Sequence, residues 1–226
     1  RGMGDAVIGK DDAYSNKLSD DVGGAMKRRI HRISAGDPIV KGLDIDTLRG
    51  AHNAQNMSAA YQVAALMEIP HDDIIAAMKT FPGLPHLQYL VMTIGGVSVV
   101  NDSKATNADR TARALDSFTK IHWIAGGVAK EGGLAGLEKF KGNVECVYLI
   151  GEAAEDFAEW CDAHGFKYAH CEDMANAVDT AYANAQKKGG VVLLSPACAS
   201  FDQYSGFEAR GDHFAAQVND LKEEAA

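Results

Sequence analysis

The spacing of hydrophobic positions along this chain changes several times, and each change marks an element. Short apolar runs of strand character stand at 6–9, 29–33 and 39–41. From 53 to 68, Met57, Ala60, Ala64 and Met67 recur at three- and four-residue spacing, which predicts an amphipathic helix that Pro70 ends; a second amphipathic stretch covers 72–81. Pro82-Gly-Leu-Pro85 is stiff and turn-prone, so a division into 1–81 and 82–226 falls there. Beyond it, 89–94 and 97–100 read as a hairpin. Strands at 121–125, 144–150, 166–169 and 191–194 then alternate with helices, before a closing helix at 207–221. Such alternation predicts an α/β fold with a doubly wound, mostly parallel sheet.

Two of these strands break abruptly into polar clusters. The run at 97–100 passes into Asn101-Asp-Ser-Lys-Ala-Thr106, and the run at 191–194 into Ser195-Pro-Ala-Cys-Ala-Ser200, followed by Phe207-Glu-Ala-Arg-Gly211. Ligands of open parallel sheets bind outside the carboxyl ends of the strands, which puts Asp102, Lys104 and Thr106 at the rim of a crevice. An ammonium such as Lys104 is a compact phosphate partner, and the Asp102 carboxylate beside it can hold it in place or ligate hydrated Mg²⁺. On spacing alone, a solvated Asp and Lys in a surface loop is the commoner meaning. Thr106-Asn-Ala-Asp109 has the form of a helix cap, and a helix start is also an anion site. Ser200 as a cap and Phe207 as a core residue are the ordinary fates of such side chains.

Lys130 lies in Gly126-Gly-Val-Ala-Lys-Glu-Gly-Gly133, a loop that permits close approach but does not match the Gly-x-Gly-x-x-Gly of dehydrogenases. Asn53 and Asn56 stand one turn apart at a helix start. An amide both donates and accepts, so either complements the edge of adenine, although Asn53 could simply cap the helix.

Composition narrows the partners. With 226 residues, a formal net charge of -9 and a pI near 5.3, the chain is a poor match for nucleic acid or an anionic membrane surface. Its four cysteines form no Cys-x-x-Cys pair and read as reduced, buried thiols, Cys198 among them, which suits the cytoplasm. No apolar run approaches the roughly 18 residues of a membrane span, and no Gly-x-x-x-x-Gly-Lys-Ser/Thr phosphate loop occurs. The opening Arg1-Gly-Met-Gly leads almost directly into a strand pattern, which is expected of a piece of a longer protein.

The strings around Asn101–Thr106 and Ser195–Ser200 occur together with Gly50-Ala-His-Asn53-Ala-Gln-Asn56 and Gly83-Leu-Pro-His86. In this order they resemble the Mur ligase family, and within it the branch that adds D-glutamate, from about Asp5 to Leu221. The resemblance implies a Rossmann-like carboxy-terminal domain at 82–226, preceded by the end of a central ATPase domain at 1–81. It further implies ATP-dependent ligation of D-glutamate to UDP-N-acetylmuramoyl-L-alanine through an acyl phosphate, with ATP and Mg²⁺. Lys104 and Asp102 then attend the nucleotide phosphates and the chemistry; Thr106, Lys130, Ser200 and Phe207 hold D-glutamate; Asn53 and Asn56 serve the nucleotide, Asn56 at adenine; and His52 is positional. A cytoplasmic monomer without nucleic-acid partners or membrane insertion is expected, inactive by itself for lack of the phosphate loop. One departure stands out: the family follows its Gly-Leu-Pro-His with an arginine that reaches ATP phosphate, and here Leu87 and Gln88 follow. The alternatives are a stand-alone α/β module that binds an amino acid or nucleotide, and a folyl-polyglutamate type of ligase.

Overall fold

The computed structural model describes residues 4–25 and 29–224, which divide into two compact units, Arg1–Pro82 and Gly83–Ala226. In the first, β1 (Asp5–Gly9) pairs in parallel with β2 (Arg29–Ile33), and the helix α1 (Ala13–Ala25) connects them. No helix was expected at 13–25. Tyr14 and Leu18 are 80% and 43% exposed, so the segment lacks an apolar stripe, and its start is a local cap in which Asp12 Oδ1 accepts from Ser15 N at 2.8 Å. The strand expected at 39–41 is instead a turn, with Val40 N and Lys41 N both donating to Asp37 O at 3.1 and 3.0 Å. The Asp-Pro turn chemistry of Asp37 and Pro38 overrides the β-branched residues that follow. Two helices complete the unit, α2 (Ala51–Leu66) and α3 (His71–Lys79), around a small core of Val40, Ile45, Met57, Ile74 and Met78.

The second unit is a three-layer α/β sandwich. Its hairpin of β3 (Tyr89–Ile94) and β4 (Val97–Asn101) turns through Gly95 and Gly96 at φ 56° and 83°, the left-handed pair that a two-residue hairpin loop demands. There follow α4 (Ala108–Ser117), β5 (Ile121–Gly126), β6 (Val144–Ile150), α5 (Ala154–His164), β7 (Tyr168–Glu172), α6 (Met174–Lys188), β8 (Val191–Leu194) and α7 (Phe207–Glu224). The sheet order is β3-β4-β8-β5-β6-β7, with only β3 antiparallel to its neighbour. β5 and β8 are buried along their whole length, which is why their sequences are apolar but for His122. Helices α4 and α5 cover one face with Val100, Trp123, Leu149 and Leu193; α6 and α7 cover the other with Val99, Ile124, Tyr148 and Val192.

A helix was expected between β5 and β6. The segment holds only the 3-10 turn Glu138–Asn143, because Gly126, Gly127, Gly132, Gly133 and Gly136 all take positive φ and interrupt helical winding. At Gly126 the glycine is also a matter of space: a Cβ there would lie 1.8 Å from the Ile150 carbonyl oxygen. All four cysteines are free thiols, and Cys198 is fully buried, its thiol pushed up to about 12 by burial. No described helix is long and apolar enough to cross a membrane.

Candidate functional site

β4 and β8 are neighbours in the sheet, yet the chain leaves β4 for the α4 face and leaves β8 for the α7 face. The loops therefore part at the carboxyl ends of these strands. That is a topological switch point, where an α/β sheet opens a crevice.

The β4 exit begins with Asp102, whose amide donates to Leu194 O at 2.7 Å and extends the strand pairing. Its side chain turns inward. Asp102 is 2% exposed, Oδ1 accepts from Gln88 N at 3.1 Å, and Oδ2 accepts from Ser195 Oγ at 2.8 Å. Burial pushes its carboxyl up to about 7, against the pull of the Ser195 and Gln88 hydrogen bonds and of the Arg110 charge. The expectation that Asp102 stands at the rim is thus corrected. With both oxygens committed inside, it positions the loop and the preceding segment, and it does not face the crevice as a ligand for Mg²⁺. Among the described residues, no group of three or more His, Cys, Asp or Glu side chains could hold a metal ion.

Lys104 and Thr106 do stand at the rim, half-buried. Lys104 N donates to His86 O at 2.9 Å, and its Nζ lies 5.8 Å from the centre of the Phe207 ring. Thr106 does not cap α4. Asn107 takes that role, its side chain accepting from Arg110 N at 3.0 Å, which leaves the Thr106 side chain outside the cap. Phe207 opens α7, also half-buried, and meets the His86 ring edge-on at 6.1 Å. Ser200 is 2% exposed and caps no helix; its carbonyl accepts from Gln203 N and Tyr204 N in the turn before α7. Lys130 is exposed on the loop after β5. That loop is zipped to the β8 exit by reciprocal bonds, Val128 N to Ala199 O at 2.9 Å and Ala199 N to Val128 O at 3.0 Å, so Lys130 and Ser200 hang from one short bridge.

In the other unit, Asn53 and Asn56 lie on the first turns of α2. Gly50 is the cap residue, at φ 90°. Asn53 Nδ2 donates to Arg49 O at 2.9 Å, and Asn56 Nδ2 reaches Asn53 Oδ1 at 3.5 Å. Asn56 is exposed beside an open cavity of about 400 Å³ lined by Leu48, Met57, Ala60, Ile74 and Phe81. The lining is apolar except for Asn56 and Asp73.

Sequence reasoning missed the groups that hold the crevice together. Asn101 Nδ2 donates to Gly211 O at 2.8 Å, Ser103 Oγ donates to Phe207 O at 2.8 Å, and Trp123 Nε1 donates to Ser195 O at 2.7 Å. Arg210 is 1% exposed. A Cβ at Gly211 would lie 2.2 Å from His86 Nδ1, so the Arg210-Gly211 pair of the string quoted above marks where α7 packs directly on the β4 exit. The only sequence signal was the Arg-Gly pair itself, standing among the charged and apolar residues of the helix start.

These features define a unit of the doubly wound α/β class, with its polar loops gathered at one switch point. Residues 88–198 match the family described as Mur ligase, glutamate ligase domain. Over 246 aligned residues the chain is 43% identical to the UDP-N-acetylmuramoylalanine–D-glutamate ligase of Caulobacter vibrioides, covering 98% of this chain and 52% of that protein. The ligase of the same name in Agrobacterium fabrum is 42% identical with the same coverage. The chain belongs to the Mur ligase family. It spans about half the length of the curated relatives it matches. Among solved structures, MurF from Acinetobacter baumannii superposes with a TM-score of 0.60 at 15% identity, over 99% of this chain and 53% of that one, which speaks to the fold alone.

Proposed function

We propose that this chain is the D-glutamate-accepting part of an ATP-dependent ligase of peptidoglycan biosynthesis. The reaction joins D-glutamate to UDP-N-acetylmuramoyl-L-alanine. ATP supplies the phosphoryl group that activates the acceptor carboxylate as an acyl phosphate. The D-glutamate amine then attacks the acyl carbon, and phosphate leaves as the amide forms. Unit Gly83–Ala226 is read as the amino-acid-binding domain, and Arg1–Pro82 as the closing portion of the nucleotide-binding domain.

The observation that carries this reading is 43% identity through 98% of the chain to a ligase of that name, joined to a crevice that gathers Lys104, Thr106 and Phe207 beside the bridge bearing Lys130 and Ser200. Chemistry of this kind is chiefly positioning and charge neutralisation. Lys104 supplies a cation for a phosphoryl oxygen, and the Phe207 ring beneath its ammonium restrains the flexible stem. Thr106 and the start of α4 offer hydrogen bonds to one carboxylate of D-glutamate, Lys130 and Ser200 to the other. Asp102 acts through the backbone it holds. Asn56 meets adenine at the margin of the apolar cleft.

Titration of the chain with D-glutamate and, separately, L-glutamate, followed by amide resonances, tests the amino-acid half of this reading. D-glutamate should shift Lys104, Thr106, Lys130 and Ser200, and L-glutamate should shift them much less. Equal responses, or none, would overturn it.

A further inference from the structure

We infer that Arg210 is a positioning residue of the crevice: its guanidinium fastens the loop after β4 to the loop after β8 and so fixes the spacing between Lys104 and Thr106 on one side and Ser200 on the other. The inference rests on the D-glutamate site proposed above and names what holds that site's two halves in register.

Arg210 sits in the first turn of α7 and is 1% exposed. Its Nε donates to Ser103 Oγ at 3.0 Å, and its Nη2 donates to Ser103 O at 2.9 Å and to Cys198 O at 3.1 Å; Nη1 donates to Ala199 O at 3.3 Å. Each acceptor is neutral, and they are divided between the residue just before Lys104 and the residues just before Ser200. A guanidinium is planar, with its donors in a fixed fork, so neither loop can shift without breaking bonds shared with the other. The third loop is gripped as well: a Cβ on Gly127 would lie 3.2 Å from Nη1 and 2.2 Å from Ala199 O, so the path toward Lys130 runs directly against the clamp. Ser103 Oγ, which receives the Nε hydrogen bond, passes its own to Phe207 O at 2.8 Å and draws the aromatic residue into the same network.

Packing alone is a poor account of this arginine. Burying a cation without a carboxylate partner is costly, and a methionine of similar length would fill the space without that cost. Burial lowers the guanidinium's pKa to about 10, so it still carries its charge at neutral pH and leaves a fixed positive charge behind both loops. A dicarboxylate that spans the two loops depends on their spacing, whereas an anion held by one loop does not.

The test compares wild type, Arg210→Lys and Arg210→Met in the 226-residue chain, reading amide hydrogen exchange and D-glutamate affinity together. Because hydrogen bonds from a charged donor are being removed at several points, exchange at 103–106 and at 198–200 should accelerate together by at least about tenfold, and D-glutamate affinity should fall by a similar factor. Amides of Ala177 and Ala181 in α6 should keep their protection. Arg210→Lys should rescue only in part, since it restores the charge without the fork. Should Arg210→Met fail to fold, Ser103→Ala removes one arm of the clamp from the other side and should show the same paired loosening, reduced in size. A full rescue by lysine, or unchanged exchange at either loop, would overturn the inference. If wild type itself fails to bind D-glutamate, the functional reading fails, while the exchange comparison still decides whether Arg210 couples the loops.

Discussion

The two units hold their candidate ligand groups in opposite ways. In Gly83–Ala226 the loops bearing Lys104, Thr106 and Ser200 are pinned from below by fully buried polar groups: Asp102, Ser103, Ser195 and Arg210. In Arg1–Pro82 the candidate residues Asn53 and Asn56 lie on one helix and bond to each other and to nearby backbone, above a core of only a few buried side chains. Val63, Leu66, Met67, Ile69 and Phe81 of that unit remain 38% or more exposed. Within this chain, then, the first set is held by long-range polar burial and the second by bonds local to one helix.

The sharpest way to break this contrast is to strike the larger core. Trp123→Ala removes a 0% exposed indole together with its bond to Ser195 O, and should destabilise Gly83–Ala226 by about 3–5 kcal/mol. Gly126→Ala should be comparably severe, since its Cβ would collide with the Ile150 carbonyl at a φ of +132°. Chemical denaturation read through far-ultraviolet circular dichroism checks both; a loss under about 1 kcal/mol would show that the sheet ends can relax.

Thr106→Val probes the crevice without touching the core. It should weaken D-glutamate binding by roughly tenfold, the equivalent of about 1.5 kcal/mol for a hydrogen bond to a charged group, and leave the thermal midpoint nearly unchanged. Calorimetric titration and a melting curve on one preparation read both quantities.

Asp102 offers a pH readout. Its carboxyl moves from an ordinary value of 3.8 up to about 7, so the folded state holds the proton more tightly than the unfolded chain does. Its contribution to stability is therefore greatest at acid pH and falls as pH rises from about 4 through 7, flattening above that. Wild type should lose more stability than Asp102→Asn between pH 5 and 8; parallel pH profiles would mean that the carboxyl titrates normally.

The smallest effect belongs to the other unit. Val63→Ser, at a 47% exposed position of α2, should change stability by about 0.5 kcal/mol or less. A larger loss would reveal that Arg1–Pro82 is packed more tightly than its exposure indicates.

Local pattern sufficed where an element announces itself. The apolar runs of β5 and β8, the Gly95-Gly96 turn and the strand-end polar clusters all point the right way, because burial on both faces and left-handed turns constrain residue type directly. The direction of Asp102 could not be seen. Whether a carboxylate at a strand end faces solvent or core depends on Ser195 and Gln88, which are distant in sequence and meet it only once the sheet has formed. Arg210 escaped for the same reason, since three of its four acceptors are backbone carbonyls that any residue could supply. The helix α1 was hidden by exposed Tyr14 and Leu18, and the turn at 39–41 by a β-branched run after a proline.

The position of β8 has a consequence for how the chain is made. Val191–Leu194 comes last among the strands but fills the gap between β4 and β5. Until it emerges during synthesis, the hairpin of β3 and β4 and the ribbon of β5, β6 and β7 face each other with open edges, each already bearing part of the future crevice. Such edges invite pairing with foreign strands, and contacts so distant in sequence form slowly. A chain cut short before Val191 would therefore carry two half-sheets with unmatched borders, and the same four residues that close the sheet bring the β4 and β5 exits together for the first time.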